Sequence, residues 1–123
     1  MMPDICHLVC ILEKKMFVDE RIYTLKNGKL DEFLKLYETL GKDVQVKILG
    51  NMIGYFHTDI GPLNQVVHMW GYESMDDRWD RRKKLQASEE WLKYALQMRP
   101  LVQSIENKIL IPEHWSPIGG SGN

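Results

Sequence analysis

Gly61-Pro-Leu-Asn-Gln-Val-Val-His-Met-Trp-Gly-Tyr72 is the stretch that decides the fold. It opens within a turn signal, Asp59-Ile-Gly-Pro62, and continues as a strand with large side chains on both faces. Even positions supply Val66, His68, Trp70 and Tyr72; odd positions supply Leu63, Gln65, Val67 and Met69. A strand with one wet face alternates apolar with polar residues instead. The sheet around this strand therefore needs cover on both sides, and a short chain lacks the material to provide it. That shortfall calls for a partner, and the lone His68 beside Trp70 on one face calls for a pocket.

Upstream, Leu49–Thr58 reads as a second strand of the same hairpin, interrupted by Gly50 and Gly54, where bulges or close backbone approach are expected. Before it, Leu30, Phe33, Leu34, Tyr37 and Leu40 recur at helical spacing, and Gly41 reads as the helix end. A second helical piece is expected over Asp43–Lys47. Phe17–Leu25 is rich in β-branched and aromatic residues and stops at Lys26-Asn-Gly28, so it reads as a strand. Met16 marks the expected start of the folded domain, with residues 1–15 an extension or an added edge strand.

Downstream, Ser74-Met-Asp-Asp77 is a helix start, and Met75, Trp79 and Leu85 form a thin apolar stripe on that helix. Ser88-Glu-Glu90 starts another, with Trp91, Leu92, Ala95, Leu96 and Met98 expected inward and Arg99-Pro100 at its end. Val102–Ile111 reads as the last strand. A Pro-rich tail follows to Ile118, and residues 119–123 are expected to be flexible.

The order β-α-β-β-α-β is the ferredoxin-like unit, an α+β fold with an antiparallel sheet. Both crossovers pack on one sheet face, which leaves the other bare. An apolar face of four strands exceeds the patch a monomer usually exposes. Two such faces meeting across a twofold axis would make a dimeric α+β barrel, so a homodimer through the sheet faces is expected.

Composition narrows the function classes. The chain has 123 residues, 44% hydrophobic and 27% charged, with a net charge of −1, which fits one globular domain and gives no field favouring nucleic acid. No apolar run is long enough for a membrane span. Cys6 and Cys10 alone make neither a disulfide framework nor a metal ligand set. Asp4 before the apolar run Ile5–Leu12 and Glu13-Lys-Lys15 after it spoil a secretory signal, so the cytoplasm is the expected compartment. The run Arg78-Trp-Asp-Arg-Arg-Lys-Lys84 reads either as a solvated helix face or as an anion- or partner-binding patch.

Several separated motifs carry a resemblance. Glu20-Arg-Ile-Tyr-Thr-Leu-Lys-Asn-Gly-Lys29, the strand from Gly61 to Trp70, Arg99-Pro100, Glu106-Asn-Lys-Ile-Leu110 and the closing Trp115-Ser-Pro-Ile118 together resemble the NIPSNAP family over about residues 16–118. The resemblance implies the dimeric α+β barrel superfamily, whose members include cofactor-free monooxygenases, haem-degrading enzymes and lactone isomerases. It implies no settled activity. Eukaryotic members look mitochondrial and are linked to vesicle traffic and mitophagy signalling, but their targeting extension is not read here, so that role is not carried over.

The candidate ligand-binding residues are His68, Trp70, Arg21, Tyr23 and Tyr55. His68 mid-strand suits a general base or an axial haem ligand, or a core-edge histidine satisfied by a neighbour. His57 on the hairpin partner is a candidate neighbour. Arg21 and Tyr23 share a face of the first strand, and a buried Arg needs an anion, with Glu106 or Glu73 as candidate partners. No zinc ligand set, phosphate loop or nucleophile elbow is present, so neither a metal nor a cofactor is expected. Two functional readings follow. One is a homodimeric barrel binding a small apolar or aromatic ligand, with a cofactor-free enzyme of the monooxygenase or isomerase type as its catalytic form; the other is a non-catalytic, dimeric protein-interaction module.

Overall fold

The turn at Asp59–Pro62 ends at Asn64, which takes a left-handed backbone (φ 64°) and whose carbonyl accepts from Leu25 N at 2.8 Å. That bond fixes the third strand against the first. The structure, a computed structural model, describes residues 16–121; the expected extension over residues 1–15 and the last two residues of the tail lie outside them.

The first strand is β1 (Phe17–Leu25); a helical crossover follows as α1 (Leu30–Leu36), a π-helical turn (Tyr37–Gly41) and α2 (Lys42–Leu49). The hairpin is β2 (Asn51–His57) and β3 (Gln65–Tyr72). The second crossover comprises α3 (Met75–Ala87), α4 (Glu89–Met98) and a single 3-10 turn (Arg99–Leu101), before β4 (Val102–Leu110). All strand pairs are antiparallel, in the order β2-β3-β1-β4. This is the ferredoxin-like α+β architecture, with β1 and β3 central as that topology requires.

The register assigns the faces. His68 lies opposite Arg21 of β1 and Tyr55 of β2, and Trp70 lies opposite Asp19 and Met52. Directly opposed residues of an antiparallel pair share a face, so Asp19, Arg21, Tyr23, Tyr55, Val66, His68 and Trp70 all point toward the helices. The core gathers there in two clusters. One centres on Tyr23, Leu25, Phe33, Tyr37, Val66 and Tyr94; the other on Phe17, Leu49, Trp70, Tyr72 and Leu85. The opposite face presents Ile22, Val67 and Met69, all half-buried. Its own chain does reach part of it: the tail residues Pro112, Ser116 and Ile118 wall a pocket of about 190 Å³ with Val18, Ile53 and Met69. The expectation of a wholly bare face is corrected to that extent. Among the described residues nothing covers β4, and Ile105 and Ile109 are exposed at 48% and 38%.

Three local readings are corrected. Gly41 does not end the helix; the extra residue of the π turn rotates the phase, so Gly41 packs inward and Leu40 is left exposed. Gly50 is not a strand residue but closes α2 with φ 91°, its N–H donating to Val46 O at 2.8 Å. In the second crossover, Met75 and Trp79 are exposed rather than packed, and so are Leu92 and Leu96. Leu85, Tyr94, Ala95 and Met98 take the buried positions, with Ser74 Oγ and Ser88 Oγ capping the two helix starts. Gly54 does adjoin a register shift in the β2–β3 ladder, as a strand glycine suggests.

Candidate functional site

His68 is 1% exposed, and its ring is stacked on Tyr55 (centroids 4.7 Å apart) and met edge-on by Tyr23 at 4.9 Å. Tyr55 stacks in turn on Tyr37 at 4.5 Å. Trp70 Nε1 donates to His68 Nδ1 at 2.7 Å. A neutral imidazole whose Nδ1 accepts must carry its proton on Nε2. That Nε2 is buried and has no acceptor among the described residues. Burial, reinforced by the Arg21 charge, lowers the His68 pKa to about 3, so the ring is neutral at physiological pH. His68 is therefore a hydrogen-bond donor in search of an acceptor. With Nε2 protonated and the basicity this low, neither general-base work nor axial haem ligation suits it.

The tyrosines around it are equally locked in the neutral form. Burial raises Tyr37, Tyr55 and Tyr94 well above the ordinary phenol range. Tyr37 Oη donates to the buried Gln45 Oε1 at 2.6 Å. The space next to His68, bounded by Tyr23, Tyr55, Trp91 and Met98, is too small for a water molecule.

A ligand-sized cavity lies one side-chain layer outward. It measures about 480 Å³, with Arg21 and Tyr23 from β1, Arg82, Trp91, Met98 and Arg99 from the second crossover, and Ile105 from β4 in its walls. Tyr23, Gln45, Trp91 and Met98 line both spaces, so they separate the cavity from His68.

Beside the cavity sits an ionic cluster. Asp19 is 0% exposed, and its carboxylate accepts from Arg78 Nε at 3.0 Å and Asn107 Nδ2 at 3.1 Å, with Arg21 Nη1 at 3.5 Å. Asp19 thus replaces the partners expected for Arg21; Glu106 is opposite Ile22 on the other sheet face, and Glu73 is exposed. Arg82 makes no ion pair among the described residues. Burial and the repulsion of Arg21 and Arg78 lower its pKa.

Of the five residues chosen from sequence, Arg21 and Tyr23 border the open cavity. His68 and Tyr55 lie behind it, and Trp70 is core, holding the histidine tautomer. His57, opposite Val66 at the strand end, is exposed and takes no part. Arg82, Trp91, Gln45 and Asp19 were not chosen. The signal for Arg82 was present: Arg78, Arg82 and Leu85 recur at i, i+4 and i+7, one face of a helix. Among the described residues, no group of three or more His, Cys, Asp or Glu side chains could hold a metal ion, and no helix is long and apolar enough to cross a membrane.

Comparison with known proteins agrees on one family. The family model described as NIPSNAP matches residues 18–117. A NipSnap homologue from Dictyostelium discoideum is 30% identical over 92 residues; the match covers 75% of this chain and 40% of that protein. The chain thus spans well under half the length of this curated relative. A crystal structure of a NIPSNAP family protein from Agrobacterium tumefaciens superimposes with a TM-score of 0.82 at 51% identity, over 84% of this chain and 98% of that one. A second protein of that organism, of unknown function, gives 0.84 at 42%, over 85% and 95% of the two chains. Two distant structures share the fold alone. One is a candidate antibiotic biosynthesis monooxygenase from Nitrosomonas europaea, with a TM-score of 0.63 at 15% identity over 86% and 96% of the chains. The other is a dimeric ferredoxin-like protein from an uncultured marine organism, at 0.62 and 12% over 82% and 90%.

Proposed function

The chain belongs to the NIPSNAP family, and from that premise we propose that it is a homodimeric α+β barrel that binds a small ligand with an apolar or aromatic body between its helices and its sheet. The observation that carries this reading is a cavity of about 480 Å³ that brings Arg21, Arg82 and Gln45 together with Tyr23, Trp91 and Met98. A cavity with an apolar wall and a few convergent polar groups is the usual form of a ligand site. The polar groups lining it are the guanidiniums of Arg21, Arg82 and Arg99, the amides of Gln45 and Gln86 and the Tyr23 hydroxyl, so binding is favoured over a reaction that needs a base. The open sheet face and the uncovered β4 support the dimer. The cysteine usage supports a cytoplasmic setting.

The test is titration of the full chain with 1-naphthalenemethanol and 1-naphthoate, read by quenching of tryptophan fluorescence. Saturable binding of at least one compound is expected, and Gln86→Trp, which fills the mouth of the cavity, should abolish it. No saturation by either compound, or binding unchanged in Gln86→Trp, would remove the cavity as the site.

A further inference from the structure

We propose that the ligand of this cavity is an organic anion, a carboxylate on a flat apolar body, held by Arg82 and Arg21; this rests on the cavity being the ligand site. The charge count is the starting point. Arg21, Arg78 and Arg82 gather around the single acid Asp19, and the side chains of Arg21 and Arg78 are only 12% and 14% exposed. Asp19 engages Arg78 and Asn107 and also pairs with Arg21 at 3.5 Å. One carboxylate thus faces three guanidiniums, and among the described residues the cluster keeps an excess of positive charge in a partly buried space, with Arg82 outside every ion pair. A desolvated guanidinium is costly unless an anion or acceptor meets it.

The cavity wall has the same sign. Arg21, Arg82 and Arg99 line it together with Gln45 and Gln86, and among the described residues no Asp or Glu does. Arg21 enters from mid-β1 and Arg82 from mid-α3, so an anion between them would be clamped from the sheet and from the helix layer at once. Planar, forked donors of this kind match a carboxylate. Phosphate sites usually recruit backbone N–H groups at turns and helix starts. Arg21 and Arg82 are side chains from the middle of elements, and the rest of the lining includes Trp91, Met98, Leu85 and Ile105. A flat apolar body would pack there against Trp91, whose ring already meets Tyr94 at a tilt with centroids 4.9 Å apart. The burial and repulsion that lower the Arg82 pKa agree with a guanidinium short of its anion.

The experiment compares 1-naphthoate, its alcohol analogue 1-naphthalenemethanol and inorganic phosphate on the full chain, with Arg82→Gln and Arg82→Lys variants. The acid should bind roughly 10- to 100-fold more tightly than the alcohol, and Arg82→Gln should erase that difference. Arg82→Lys should retain part of it. Phosphate alone should bind weakly and fail to displace the acid at equal concentration. In the ligand-free state Arg82→Gln should raise the melting temperature, because it relieves repulsion; an arginine kept for structure would lower it. Equal affinity for acid and alcohol, both blocked by Gln86→Trp, overturns the anion and leaves the cavity. Phosphate binding as tight as the acid overturns the carboxylate class. Binding of neither naphthalene compound overturns both readings.

Discussion

His68 holds its position by exclusion of water rather than by charge. Its folded pKa of about 3 lies below the ordinary 6.5. As pH falls below about 6.5 the unfolded chain takes up a proton that the folded chain refuses. The stability this histidine contributes is therefore complete above that value and drains away as pH drops toward 3. Between about pH 8 and pH 5 the loss is about 2 kcal/mol. Urea unfolding should show it, and His68→Asn, which keeps an acceptor for Trp70, should flatten the curve over that range; parallel curves would contradict a buried neutral ring. Asp19 matters in the opposite way. Asp19→Asn leaves Arg21 and Arg78 facing each other without an acid and should cost roughly 3 kcal/mol in the same assay, with a cost under about 1 kcal/mol speaking against the cluster. The histidine was legible in the sequence because a lone imidazole interrupts an apolar face. Asp19 was equally legible, two residues from Arg21 on the same face of β1, but an acid at the start of a strand looks like a solvated residue until the register brings Arg78 and Asn107 to it.

At the scale of elements, periodicity located every strand and helix and failed where the period itself changes. Leu40 continues the pattern of Leu30, Phe33 and Tyr37, yet the π turn between α1 and α2 swings it outward and brings Gly41 against Tyr94. A Cβ on Gly41 would stand 2.9 Å from the Tyr94 ring, which is held by Tyr37 and Trp91. Gly41→Ala should therefore cost about 1–3 kcal/mol in chemical denaturation, whereas Leu40→Ala should change stability by less than about 1 kcal/mol. The reverse order would restore an uninterrupted α-helix. α3 misleads for a related reason. Its large apolar residues, Met75 and Trp79, attract the eye, but its inward face is Arg78, Arg82 and Leu85. A helix that turns arginines toward a sheet reads as solvated by composition alone. Only the burial of Asp19 opposite reveals which side is in.

Across the whole molecule, the sheet has one face under the helices and one that the tail only partly covers. The apolar strip of Ile22, Val67 and Met69 lies at the centre of that second face, on the two middle strands. Two copies meeting there would cover it and shelter β4. Ile22→Glu should then halve the mass measured by light scattering while leaving the circular dichroism unchanged; a wild-type chain that already runs as a single subunit would refute the assembly. The two-sided character of β3 is the sequence feature that argues for such a partner. The cavity was not readable, because its walls come from β1, α3 and α4 and meet only through the crossovers. Native mass spectrometry of the full chain incubated with 1-naphthoate tests the homodimeric ligand-binding barrel most directly. The predicted spectrum is two 14.5 kDa chains carrying up to two naphthoates, with the adduct lost in Gln86→Trp. A bare chain, single or paired, with no adduct at saturating naphthoate would contradict it.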